Sequence, residues 1–160
     1  MIPQFKKLNP DEIELLCDVF PLITLLIGYA DGKLDEDEIA WADKITQMRS
    51  YSQHESVHEY YEEVHDKFQE KLTNMQNSLP SDNEERLQAI SQRLSGLNKI
   101  LPKLDKVLAW RIYHNLLSFA EHIAKASGGF LGWNSISLEE KKLIKLEMIK
   151  PIVLEEEPKN

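Results

Sequence analysis

Two stretches of this chain carry side chains spaced for chemistry. The first is Asp31-Gly32-Lys33-Leu34-Asp35-Glu36-Asp37-Glu38, with five acids in eight residues. Carboxylates crowded at one turn repel unless a cation or a basic group sits among them, and hard divalent cations coordinate through oxygen. The second is His54-Glu55-Ser56-Val57-His58, the H-E-x-x-H spacing of zinc peptidases. There two imidazoles on one helical face hold the metal and the glutamate polarises a bound water.

The acidic turn is half of an EF-hand loop. With Gly32 at the loop's sixth place, Asp31, Asp35 and Glu38 fall at the fifth, ninth and twelfth, but Ile27 and Tyr29 stand where the first and third ligands belong. A second contributor is required, and the chain offers one. Ile123–Gly128 aligns on Ile27–Gly32, and Ile136-Ser137-Leu138-Glu139-Glu140 aligns on Leu34–Glu38. This sets Ser127 on Asp31, Ser137 on Asp35 and Glu140 on Glu38. The candidate ligand set is therefore Asp31, Asp35, Glu38, Glu139 and Glu140, supplied by two loops and suited to Ca²⁺ or Mg²⁺ rather than Zn²⁺. Capping accounts for the same spacing: Asp35 and Ser137 are N-cap residues, and Glu38 and Glu140 are third-position capping-box acids. A purely structural or protein-binding domain without metal is the alternative.

The histidine pattern is weaker. His65 falls within roughly 40° of His54 and His58 on a helix. The extended zinc motif, however, needs glycine where Tyr61 stands, and its third histidine one position before His65. No strand is expected beside it to hold a peptide substrate. A solvated face with three histidines is the favoured reading, so no catalytic residue is assigned; a zinc-dependent hydrolase through His54, Glu55 and His58 is the second alternative.

The elements that must position these residues are helical. Asn9-Pro10-Asp11-Glu12 starts a helix that runs to Ala30, bent near Pro21 and stopped at Asp31-Gly32. Leu34 staples on Ile39, and a second helix spans 36–49 with Ile39, Ala42, Ile45 and Met48 on one stripe. A polar third helix covers 54–77, with Val57, Tyr60 or Tyr61, Val64, Phe68, Leu72 and Met75 at three-and-four spacing. Residues 78–83 form a turn, and a fourth helix spans 83–97. The fifth, 103–126, is apolar nearly all round and belongs at the centre, with His114 and His122 as core or boundary residues. It ends at Gly128, followed by a Gly-rich loop in which Phe130-Leu131-Gly132-Trp133 offers a docking patch or packs over the bundle. A sixth helix covers 137–150. No segment alternates with period two, so no sheet is expected.

Composition bounds the rest. The 160 residues fit one domain with a real core, 42% of them hydrophobic. A net charge of −8 argues against nucleic acid, whose phosphates need a basic face. The lone Cys17 lies in an apolar stretch and reads as a buried, unreactive thiol. The apolar run 19–30 is too short to span a bilayer. The expected setting is the cytoplasm, with a protein partner possible and the oligomeric state open.

Ile27–Glu38, together with Ala126–Gly132 and Ile136–Glu140, resembles the tellurite-resistance TerB-like family over roughly 11–48 and 116–149. The resemblance implies an all-α, internally duplicated bundle of six or seven helices occupying 1–154, with halves at 11–50 and 103–150 and a polar insertion at 54–101. It leaves 155–160 as a mobile acidic tail. It further implies a non-enzymatic module that binds a divalent metal through acids of both halves, in a tellurite or stress response. Asp31, Glu38 and Glu140 match the family's acidic positions, while Ser127 replaces a second Asp and removes one carboxylate.

Overall fold

The computed structural model describes residues 2–159 except 31–33, 35, 53 and 135–137; the side chains of 52, 126–134, 139 and 140 are likewise not described. Among the described residues the chain is all helical. A 3₁₀ turn at Pro3–Phe5 precedes α1 (Pro10–Ala30), α2 (Glu36–Ser52), α3 (Glu55–Ser78), α4 (Asn83–Ser95) and α5 (Leu97–Ile100). A second 3₁₀ turn (Leu101–Lys103), α6 (Lys106–Asn134) and α7 (Leu138–Ile144) complete the bundle.

α1 begins as its sequence dictates. The Asn9 side-chain oxygen accepts from the Glu12 N–H at 2.9 Å, and Glu12 accepts in return from the Asn9 N–H at 3.0 Å. From Leu16 to Gly28 every residue is buried, with Asp18 and Thr24 the polar exceptions. Such a helix must be covered on all sides, and α2, α3, α4, α6 and α7 pack around it. By length and mean hydropathy, 1.8 over its most apolar window, α1 is apolar enough to cross a membrane, but 78% of that window is buried by the bundle. The centre is therefore α1 rather than the 103–126 helix. The reason is composition: α6 keeps Arg111, Asn115, Ser118 and Glu121 off its apolar stripe, whereas α1 has no polar side.

The apolar spacing of α3 holds. Val57, Tyr60, Tyr61, Val64, Phe68, Leu72 and Met75 are all buried, and the Tyr60 hydroxyl donates to the Leu16 carbonyl at 2.6 Å. Phe20 of α1 meets Tyr61 and Phe119 edge to face, with centroids at 5.6 and 4.9 Å. Those geometries are favoured by the ring quadrupoles.

Two expected boundaries move. α6 does not stop at Gly128 but runs through Gly128 and Gly129 to Asn134, so Phe130–Trp133 belong to its last turns and not to a loop. Each glycine costs the helix about 1 kcal/mol, yet neither Pro nor a capping side chain intervenes before Asn134. The Ala-x-Gly stop expected at Gly128 is thus not made in α6. α7 ends at Ile144 instead of 150, because Leu146 takes a left-handed φ of 55°. Its N–H returns to Leu143 O at 3.0 Å and that of Glu147 to Lys142 O at 3.3 Å, the double closure usually built on glycine. Leu146 is fully buried, and that burial offsets a strain of about 1 kcal/mol. Ahead of the acidic tail, Ile152 packs on the core.

One ion cluster ties the helices together. The Asp18 carboxylate, 9% exposed, receives Lys71 of α3 at 2.7 Å and Arg93 of α4 at 2.5 Å. Lys71 also reaches Glu14. Burial works against the Lys71 charge, but its bonds to Asp18 and Glu14 outweigh this and hold its pKa above the usual lysine value. The Lys71 bond holds Glu14 below the usual carboxylate value. Asp18→Ala should destabilise the fold by roughly 3 kcal/mol in urea denaturation, since two cations then lose their buried partner. Glu14 contributes stability that is present above its ordinary 4.5 and lost as pH falls through its lowered value. Lys71 contributes stability that is complete below its ordinary 10.5 and lost as pH rises through its raised value. Glu14→Gln should therefore flatten the acid limb of a stability–pH curve and also shrink the alkaline limb in part, since Asp18 alone is then left to raise Lys71.

Candidate functional site

The acidic corner is built where α1 ends and α2 begins. Its α1 side is pinned by α4: Asn83 donates to the Tyr29 carbonyl at 3.2 Å, and the Arg86 guanidinium lies 3.5 Å over the Tyr29 ring. Leu34 and Ile39 are each partly buried against the core, Ile39 from α2. Of the five ligands named from the sequence, Asp31 and Asp35 lie outside the described residues, as do the side chains of Glu139 and Glu140. Only Glu38 can be placed. Glu36 and Asp37 are exposed beside it, whereas Glu38 is only 2% exposed.

Gly28 makes the room. A Cβ at that position would stand 2.2 Å from Leu34 Cδ1, 3.1 Å from Leu34 Cβ and 3.0 Å from Glu38 Oε2. The missing side chain is thus the cradle into which Leu34 and the Glu38 carboxylate fit. α7, which begins just before Glu139 and Glu140, packs on α1 as well. Among the described residues, no three His, Cys, Asp or Glu side chains gather closely enough to hold a metal.

The histidine motif separates. His54 is not in the helix: its ψ of 141° makes it the N-cap of α3, with its side chain accepting from the Ser56 N–H. His58 and His65 follow within α3. The His58 Nε2 lies 3.3 Å from Glu62, and the His65 Nδ1 lies 3.3 Å from the Thr46 hydroxyl on α2. The three imidazoles have three different partners.

Sequence periodicity missed the polar interior of α2. Met48, expected on the buried stripe, is 52% exposed, while Thr46, Arg49 and Ser50 point inward. The Arg49 guanidinium donates to the Asn115 carbonyl at 2.6 Å and to the Ser118 hydroxyl at 3.0 Å, and it sits 5.7 Å from the Phe119 ring centre. Burial lowers its pKa, opposed by the neighbouring Tyr61 hydroxyl. Tyr61 is itself raised by burial despite Arg49. No periodic signal reveals such a face, because its residues are polar. Cys17 is buried, and burial pushes its thiol up to about 12, in line with an unreactive role.

A second missed feature is a recess of about 660 Å³ between the first 3₁₀ turn and the starts of α3 and α6. Leu104, Val107 and Leu108 contribute to its lining, with Lys6, Lys7, Lys103 and Arg111 around them. The Lys6-Lys7 pair was a visible signal, but its companions lie about a hundred residues away.

No family model matches this chain, and neither a curated protein nor a solved structure does.

Gly28→Ala tests the cradle. The new methyl must displace Leu34 and the Glu38 carboxylate, and the cost in thermal or urea unfolding should be about 1–3 kcal/mol. At an open helical position the same substitution would stabilise.

Proposed function

We propose that the chain is a non-enzymatic, TerB-like helical module of the cytoplasm that binds a divalent cation at the corner between α1 and α2. The observation that carries this reading is Glu38, turned inward at 2% exposure beside Gly28 while its neighbours Glu36 and Asp37 face solvent. An acid serving only as a cap has no need of a glycine cradle on the facing helix. The candidate donors are all carboxylate oxygens, which suits Ca²⁺ or Mg²⁺. Asp31 and Asp35 would join Glu38 from the turn, and Glu139 and Glu140 from the start of α7. Such a module would serve a stress or tellurite response by binding, not by catalysis.

One observation favours the metal-free alternative. Asn9 and Glu12 form a reciprocal capping box at α1, so this chain does use the Asx-x-x-Glu spacing purely to end a helix. Isothermal titration with Ca²⁺, Mg²⁺, Mn²⁺ and Zn²⁺ separates the readings. Saturable Ca²⁺ or Mg²⁺ binding is expected at about 10⁻⁴–10⁻³ M. It should be lost in Asp31→Asn and Glu38→Gln and kept in His58→Ala. Absence of saturable heat leaves the structural domain. Zinc binding lost only with His58→Ala moves the site to the histidines.

A further inference from the structure

The recess at the start of α6 concentrates positive charge on a chain of net charge −8. Two of the charges facing it are already committed. Lys103 is paired with Glu12, and Asp105 accepts from the Val107 and Leu108 N–H groups at 3.0 and 3.2 Å, capping α6. Lys6, Lys7 and Arg111 remain, with no carboxylate of the described residues in salt-bridge reach. His54, the cap of α3, lines the same wall. On the floor, Val107 is 39% exposed.

An occupant matching this recess carries an apolar side chain followed by acids. Of the chain's apolar-then-acidic segments, Val153-Leu154-Glu155-Glu156-Glu157 carries the most exposed apolar residue among the described ones, ahead of Leu138 before Glu139 and Glu140. Its extended path turns Ile152 onto the core, while Val153, 83% exposed, and Glu155, Glu156 and Glu157 face outward. An apolar-then-acidic ridge is thus held ready on the surface, with part of its ordering cost already met.

The root of the ridge is tied to α5, whose chain runs on into the wall of the recess. Asn98 of α5 donates to the Met148 carbonyl at 2.9 Å and accepts from the Lys150 N–H at 2.7 Å, fixing the root of the ridge. Five residues along from Asn98, Lys103 lines the recess. None of the ridge residues lines the recess of its own chain.

We propose that a second copy of this chain fills the recess: the Val153–Glu157 ridge of one protomer docks in the Lys6/Lys7/Arg111 recess of the other, reciprocally, giving a two-fold dimer. Val153 covers Val107 and Leu108, and Glu155 and Glu156 meet Lys6, Lys7 and Arg111. The exchange is reciprocal: each recess receives the partner's ridge, as an isologous interface requires. The proposal is independent of the cation site, since it uses none of those acids.

Sedimentation velocity over a concentration series at low salt reads the outcome. The wild type should dimerise with rising concentration, and about 0.5 M salt should weaken it, since these charges are exposed. Lys6→Glu with Lys7→Glu should raise the dissociation constant about tenfold or more, and so should Glu155→Lys with Glu156→Lys. The second pair is the sharper test. Each Glu→Lys adds two positive charges, taking −8 to −4, so net repulsion alone would make this variant associate more tightly. Combining all four changes should restore association to near wild type. Lys6→Glu and Lys7→Glu combined with Glu59→Lys and Glu70→Lys, exposed positions on α3, restores the net charge and should not. Melting curves confirm that each variant is folded. A wild type monomeric throughout, a dimer indifferent to both reversals, or equal rescue by the α3 pair overturns the proposal.

Discussion

The whole bundle follows from one constraint: α1 has no side that tolerates water. Its buried stretch from Leu16 to Gly28 forces other helices to enclose it, and the two polar groups within it must be satisfied there. Thr24 solves its problem locally, donating to the Phe20 carbonyl at 2.9 Å. Asp18 cannot, and recruits Lys71 and Arg93 from two helices. Apolar residues of like volume in place of the whole cluster, Asp18 with Lys71 and Arg93, would serve stability about as well. What the carboxylate adds is position, since α3 and α4 must present those cations at one level along α1. Apolar contact alone would allow sliding by a turn.

α2 follows a different logic. Its inward face carries Glu38, Thr46, Arg49 and Ser50 around Ala42 and Ile45, so it contributes little apolar area. It is held by directed bonds, chiefly those of Arg49 to the Asn115 carbonyl and the Ser118 hydroxyl on α6. A guanidinium can be buried without a carboxylate when its five donors find oxygens and an aromatic face lies alongside. Such a helix is specified by geometry more than by hydrophobicity. The acidic corner inherits that geometry, because Arg49 fixes one end of α2 and Glu38 marks the other.

The sequence was readable where side chains act on their own helix. Asn9 with Glu12 announced α1, and the Val57–Met75 spacing announced α3. It was misleading where a choice depends on distant groups. Gly128 looked like a stop because glycine ends helices, but α6 continues through it. Leu146 takes the left-handed place that sequence rules reserve for glycine, because its side chain is needed in the core. Met48 and Arg49 exchange their expected places because the partner of Arg49 lies more than sixty residues away on α6. Of the candidate site, Glu38 was named as a ligand or capping acid with no signal for its burial, and the separation of His54 from His58 emerged only once His54 was seen as a cap. Of the basic recess only the Lys6-Lys7 pair was visible, since Lys103 and Arg111 join it only in three dimensions.

The distribution of arginine sharpens the electrostatic picture. The chain has four. Arg49 is spent on α6, Arg86 on Tyr29 and Asn83, and Arg93 on Asp18. Each joins helices distant in sequence, and each would leave a polar group exposed to apolar surroundings if removed. Arg111 breaks the pattern: it stands half-buried at the recess, with no hydrogen bond or ion pair to any described residue. Arginine's planar donor fork is costly to leave idle beside apolar floor and well suited to carboxylates. With Lys6 and Lys7 beside it, the recess has the opposite charge to the rest of the surface, and charge complementarity of that kind selects an acidic partner over a neutral one. An acidic protein that completes its internal ion pairs and still keeps three cations in one concavity has placed them where an acidic ridge, such as its own, can reach.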